Sequence, residues 1–177
     1  IIKRIMYSKY LLILLFLLSN VFPNSNNLFS EIIILSSTNV HGEIDPCGWK
    51  RKPLGGLARK ATIIDDIKGE GCDPIIVDAG NLFFKNNKPT TGVSNEINKI
   101  NAEIILESFN SIGCDAFSPG ENDFSNGLNY IMELNKKAVF PFTSANIVNM
   151  NNELVFNPYV IVERNGIKIA LVGLSSI

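Results

Sequence analysis

The stretch CDAFSPGENDFS, residues 114–125, contains the pattern that decides the fold. Its first half is short and largely apolar, as a buried strand is, and it ends at Gly120. Its second half places a carboxylate, an amide and another carboxylate (Glu121, Asn122 and Asp123) in front of a segment with helical periodicity. Polar side chains concentrated between a strand and a helix indicate a binding site at the strand end.

The same alternation of strand and helix patterns continues on both sides. Further strand patterns are EIIILSST (31–38), DPIIVDAG (73–80) and VFPFTSAN (139–146), and helix patterns are LGGLARKATIIDDIK (54–68), NEINKINAEIILESFNSIG (95–113) and NGLNYIMELNKK (126–137). The segment YVIVERNGIKIALVGLSS (159–176) predicts a hairpin around Asn165-Gly166. Strands that are apolar along their whole length and alternate with helices predict an α/β fold with a mostly parallel central sheet.

Polar clusters follow the first three strand patterns. They read TNVHG (38–42), DAGN (78–81) and GENDF (120–124). Because ligands of such sheets bind outside the carboxyl ends of the strands, we expect Asn39, His41, Asn81, Glu121 and Asp123 to converge at one edge. The alternative for each is structural: Asn39 and Asn81 cap their loops, and Asn122 or Asp123 is the N-cap of the following helix.

The composition indicates a globular protein and does not favour nucleic-acid binding. With 46% hydrophobic and 19% charged residues over its 177 positions, the chain can form a globular core, and a net charge of −1 provides no basic field for nucleic acid. Residues 1–30 differ: Lys3, Arg4 and Lys9 precede the apolar run YLLILLFLLSNVF. This pattern predicts a signal peptide or an N-terminal anchor, and hence a periplasmic or cell-surface protein that contacts a membrane only through this segment.

Residues 31–177 resemble the metallophosphoesterase (calcineurin-like) domain of the 5′-nucleotidase and UDP-sugar hydrolase family. That family has D-x-H after its first strand, G-D after its second and G-N-H-[ED] after its third. The matching positions here read Asn39-Val40-His41, Gly80-Asn81 and Gly120-Glu121-Asn122-Asp123. The surrounding segments HGEIDPC, LGGLARKATII and NGIKIALVGL are similar as well.

This resemblance implies a layered sandwich, with residues 31–177 as the N-terminal part of the domain and its C-terminal part missing. It implies an exported hydrolase that acts on phosphate esters of nucleotides through divalent metal ions (Mn, Zn or Mg). Two such ions, bridged by a carboxylate, activate a water molecule for attack on phosphorus. By position the implied metal ligands are Asn39, His41, Asn81, Glu121 and Asp123, and Asn122 stands at the position of the family's catalytic histidine.

The sequence departs from the family at these very motifs. Asn39 and Asn81 replace two carboxylates, Asn122 replaces the histidine, and His41 is the one histidine in the chain. Two adjacent divalent cations need anionic ligands, so we expect one metal ion, at His41 and Glu121 with or without Asp123, or none. The alternative function is a degenerate, non-catalytic binding or structural module that keeps the fold.

The three cysteines form an odd set. Cys72 and Cys114 each follow a glycine and precede an aspartate at the entry to a predicted strand. Side-by-side strands would bring them near disulfide distance, and the alternative is two small buried apolar side chains. Cys47 would be left over on the loop that also contains Trp49.

Overall fold

The structure is a computed structural model that describes residues 31–46, 48 and 54–176. Its strands are β1 (Ile34–Ser37), β2 (Ile75–Asp78), β3 (Ala116–Phe117), β4 (Tyr159–Arg164) and β5 (Ile167–Val172). Its helices are α1 (Leu57–Gly69), α2 (Val93–Ile112) and α3 (Gly127–Lys137), and a 3₁₀ turn covers Glu121–Phe124. None of these helices is both long and apolar enough to cross a membrane. The predicted signal peptide or anchor, Cys47 and Trp49 lie outside the described residues.

The central sheet is parallel and has the order β1-β2-β3. Ile34 pairs with Ile75 across the first interface, and Val77 pairs with Ala116 across the second. Because the strands run in the same direction, their carboxyl ends lie at one edge of the sheet. The predicted α/β class with a parallel sheet is therefore confirmed.

The helices pack on one face of this sheet. Ile76 and Phe117 on that face join a core with residues from all three helices, including Ile64, Phe109 and Leu134, which are at most 2% exposed. Helix α2 ends at Gly113, whose φ of 80° is left-handed, as the sequence predicted for its C-terminus. Burial of such large apolar side chains is the main stabilising contribution to the fold.

The hairpin β4-β5 borders the opposite face. Its strands pair from Tyr159 with Val172 to Arg164 with Ile167, so the predicted turn at Asn165-Gly166 is confirmed. Val77 and Ala116 on the sheet and Leu171 on β5 line a shared cavity of about 380 Å³. The helices, the parallel sheet and the hairpin thus form successive layers, as the predicted sandwich requires.

The predicted strand over 139–146 is mostly irregular. It is reduced to isolated bridges, at Phe142 with Phe117 and at Thr143 with Asn157. The physical reason is that Pro141 has no N–H group for a ladder, although its carbonyl accepts a hydrogen bond from Phe117 N at 3.1 Å. This segment therefore lies beside β3 without forming a regular fourth strand.

Cys72 and Cys114 do not pair with each other. Both are free thiols; Cys114 is buried, as the alternative prediction stated, whereas Cys72 is half-buried. The strand register explains this result: since Val77 pairs with Ala116, Cys114 stands level with Ile75. Cys72 lies three residues earlier, about 10 Å along the strand direction, which is beyond disulfide reach.

Candidate functional site

The loops after β1 and β2 continue side by side past the strand ends. Asn39 N donates to Gly80 O at 2.9 Å, His41 N to Asn81 O at 2.8 Å, and Gly42 N to Leu82 O at 3.0 Å. Asn39, His41 and Asn81 all have left-handed backbones, with φ of 57°, 57° and 55°. Asparagine and histidine are both found in this conformation more often than most residues, although it costs energy for any residue other than glycine. Strained backbone of this kind is concentrated at functional sites in proteins.

Two glycines bring the loops after β2 and β3 into contact. A Cβ atom at Gly80, where φ is 101°, would lie 2.7 Å from Gly120 N. A Cβ atom at Gly120 would lie 2.6 Å from Asn81 Oδ1. Both distances are shorter than any van der Waals contact, so only glycine permits this approach.

Three amides and the histidine form one cluster at this edge. Asn81 Nδ2 donates to Asn39 Oδ1 at 2.9 Å, and Asn122 N donates to Asn81 Oδ1 at 3.0 Å. Asn122 Nδ2 donates to Lys85 O at 3.0 Å and lies 3.5 Å from His41 Nδ1. Of the five residues expected to converge, Asn39, His41 and Asn81 lie in this cluster together with Asn122, and their role in binding metal stays a prediction.

Glu121 stands at the exposed margin of this cluster. Its Oε1 accepts a hydrogen bond from Asn87 Nδ2 at 2.6 Å. Asn87 was not among the predicted site residues, because it lies in a polar loop, NNKPTT, without a motif of its own. The role of Glu121 as a metal ligand stays a prediction.

Asp123 is directed away from the cluster and into the protein. It is 0% exposed, its Oδ2 accepts from Asn81 N (2.8 Å) and Gly120 N (2.9 Å), and its Oδ1 accepts from Phe83 N (2.8 Å). Burial raises the pKa of Asp123 to about 6, although the three N–H donors act in the opposite direction. The carboxylate therefore ties the loop after β2 to the turn after β3.

The predicted N-cap role of Asn122 or Asp123 was wrong in position. Asn126 precedes α3, and Gly120 precedes the 3₁₀ turn. Asp123 is the third residue of that turn and reaches back to the N–H of Gly120, which is half of a capping box.

A second buried acid lies behind the site and was missed from the sequence. Asp78 Oδ2 accepts from Ser37 Oγ at 2.6 Å, its Oδ1 accepts from Gly80 N at 3.0 Å, and Lys60 Nζ donates to Ser37 Oγ at 2.6 Å. Burial raises the pKa of Asp78 and lowers that of Lys60, while their mutual attraction acts against both shifts. An aspartate at the end of an otherwise apolar strand was the available signal.

The donor set does not fit a pair of metal ions. Asn39 and Asn81 are neutral and bond to each other, and both oxygens of Asp123 accept backbone N–H groups. Nowhere in the described ranges do three or more His, Cys, Asp or Glu side chains come together as a metal site would require. Two divalent cations need several anionic ligands, and Glu121 is the one exposed carboxylate among the predicted ligand positions.

Solved structures share this fold. A 5′-nucleotidase precursor from Thermus thermophilus superposes with a TM-score of 0.68 at 21% identity, over 82% of this chain and 28% of that one. A calcineurin-like phosphoesterase, YfkN from Bacillus subtilis, gives a TM-score of 0.61 at 23% identity, over 81% of this chain and 48% of that one. The layered fold is therefore the fold of calcineurin-like phosphoesterases.

Sequence relatives narrow this class. The chain is 35% identical over 149 residues to the protein UshA of Salmonella pullorum and 31% identical over 149 residues to a 5′-nucleotidase of Vibrio parahaemolyticus. Each match covers 82% of this chain, which spans about a quarter of either relative (26% and 25%). No family model matches the sequence. The chain belongs to the 5′-nucleotidase family, and the predicted resemblance to the metallophosphoesterase domain of that family is confirmed.

Proposed function

We propose that the protein is an exported member of the 5′-nucleotidase family that binds a nucleotide phosphate ester at this edge without hydrolysing it by the two-metal route. One observation carries the proposal: Asn81 Nδ2 donates to Asn39 Oδ1 at 2.9 Å, at the two positions where the family motifs have carboxylates. This is the non-catalytic alternative that the altered motifs raised.

Charge provides the physical reason. Two carboxylates without cations would repel a phosphate, whereas two amides carry no charge and offer N–H donors. The side chain of Asn39 is exposed, and its recorded hydrogen bond uses Oδ1, so its NH₂ group can donate to a ligand oxygen. The ring of His41 lies in the same cluster and contributes a second donor.

The ligand class and the location rest on different evidence. Matched relatives are named 5′-nucleotidase, which supports a nucleotide phosphate ester as the ligand. Export is supported by Lys3, Arg4 and Lys9 in front of the apolar run of the first thirty residues. Hydrolysis through one metal ion at His41 and Glu121 is the competing function, and it is favoured by the same relatives.

Binding and turnover must be measured separately. Calorimetry with AMP and with a UDP-sugar in EDTA should detect binding, and His41→Ala should weaken it about tenfold, which corresponds to one charge-assisted hydrogen bond. Asn129→Ala, at an exposed position of α3, is the control and should bind as the wild type does.

Phosphate release with added Mn²⁺ should stay at the level of the buffer. Turnover of AMP that His41→Ala abolishes would establish the hydrolytic function instead. Absence of binding in both EDTA and Mn²⁺ would leave the protein a structural member of the family and overturn the proposal.

A further inference from the structure

We infer that the amides of Asn39, Asn81 and Asn122 form a latch that replaces metal ions as the link between the three loops of this edge. The inference concerns how the edge is held together, and it stands whether or not a phosphate ester binds there. It follows from the misfit between the donor set and a pair of cations.

The central amide uses both of its ends. Asn81 Oδ1 accepts from Asn122 N at 3.0 Å, while its Nδ2 donates to Asn39 Oδ1 at 2.9 Å. A backbone N–H can only donate, so the atom of Asn81 that faces Asn122 must be the oxygen and the atom that faces Asn39 must be the nitrogen. Asn81 therefore connects the loop after β1 to the turn after β3.

The outer members hold the cluster to the surrounding backbone. Asn122 Nδ2 donates to Lys85 O at 3.0 Å, and Asn39 N donates to Gly80 O at 2.9 Å. Asn39 and Asn122 are thereby each bonded to the loop after β2, which carries Asn81. A set of neutral hydrogen bonds completes the edge without any bound ion.

Electrostatics makes this arrangement incompatible with the family's charged residues unless a cation is present. Two carboxylates at the positions of Asn39 and Asn81 would bring oxygens within about 3 Å of each other, where like charges repel strongly. A divalent ion removes that repulsion. The amide pair removes the need for the ion.

The geometry predicts that each single substitution is tolerated, because one amide is left to donate, and that only the double substitution is not. Asn39→Asp keeps an oxygen that accepts from Asn81 Nδ2, so its unfolding temperature should stay within about 1 °C of the wild type. Asn81→Asp keeps the oxygen that accepts from Asn122 N, and the exposed amide of Asn39 can turn its Nδ2 toward the new carboxylate, so this variant should also stay within about 1 °C of the wild type. Asn129→Asp, an exposed substitution on α3 that adds the same charge, is the control.

A second test measures whether the unfolding temperature depends on added metal ions. The unfolding temperature of the wild type, measured in EDTA and then in excess Mn²⁺ or Zn²⁺, should not change by more than about 1 °C. The double variant N39D/N81D should be less stable than either single variant in EDTA and should gain about 5 °C in Mn²⁺.

Each result has a clear reading. A double variant N39D/N81D that is as stable in EDTA as the two single variants would show that no amide hydrogen bond joins these positions and would overturn the latch. A wild-type protein stabilised by several degrees in Mn²⁺ would show that ions still hold the edge. Failure of the double variant to respond to Mn²⁺ would refute the claim that the amides occupy the place of the ions. None of these outcomes depends on AMP binding.

Discussion

Replacing Asp123 by alanine is the sharpest test of how the candidate site is supported. The side chain is 0% exposed and accepts three backbone N–H groups at 2.8–2.9 Å, from Asn81, Gly120 and Phe83. Each orphaned donor costs about 2 kcal/mol, which gives about 6 kcal/mol for the three. The substitution also removes a buried charge.

Removing the buried charge is favourable, and the pKa of Asp123 determines by how much. Burial raises the pKa of Asp123 from 3.8 to about 6, and each pH unit corresponds to about 1.4 kcal/mol. The ionised carboxylate at pH 7 therefore destabilises the fold by about 3 kcal/mol relative to the protonated form. Subtracting this relief from the orphaned-donor cost predicts that Asp123→Ala lowers the free energy of unfolding by about 3 kcal/mol at pH 7.

The sign of the pH dependence follows from the direction of the shift. Because the pKa of Asp123 is raised in the folded state, its contribution to stability is present in full below about pH 4 and is lost as the pH rises through about 6. The alanine variant has no such titration. Its destabilisation should therefore be larger at pH 5 than at pH 7, by about 1 kcal/mol.

Urea unfolding at both pH values measures these free energies. Asp65→Ala, an exposed aspartate on α1, is the matched control and should change stability by less than about 0.5 kcal/mol. A destabilisation below about 1 kcal/mol would mean that the three N–H groups find other partners. A destabilisation that is larger at pH 7 than at pH 5 would refute the raised pKa.

Three further changes test other parts of the structure. Gly120→Ala places a Cβ atom 2.6 Å from Asn81 Oδ1 and should lower the free energy of unfolding, measured with urea, by about 2 kcal/mol. Wild-type stability would contradict the close approach of the two loops. Lys60→Met leaves the buried Asp78 without its cation and should lower the unfolding temperature by several degrees. Adding Asp78→Asn to this variant should restore most of the lost stability, and losses that simply add would argue against the pairing of the two charges. Burial raises the pKa of Cys114 to about 12, so peptide mapping after alkylation of the native protein should find Cys72 modified and Cys114 protected until urea is added; equal labelling would contradict the buried position.

Local pattern was enough to predict most of the elements and the sheet edge where the three loops meet. The alternation of apolar strands with amphipathic helices depends on spacing along the chain, so the parallel sheet could be inferred without coordinates. Asn165-Gly166 has its own turn preference, and the hairpin formed where it was expected. The expectation that the loops carrying Asn39, His41 and Asn81 meet at one edge followed from parallel strands ending together.

Register and pairing were beyond the reach of the sequence. The offset between β2 and β3 separates Cys72 from Cys114, and this offset is set by packing against the helices, which no local signal encodes. The same holds for the strand expected at 139–146, which Pro141 and the path of the chain reduced to bridges.

What the sequence by itself determined is the class of the fold, its family and the neutral character of two motif positions, because these depend on residue identity and order. What only the tertiary structure decided is how each polar group is satisfied. Asp123 resembles a ligand in the motif, yet its oxygens accept three buried N–H groups from residues that lie forty or more positions away or across the turn. Asn39 and Asn81 bond to each other across 42 residues. Hydrogen bonds depend on distances of tenths of an ångström and on direction, and those are set only when the loops meet in space.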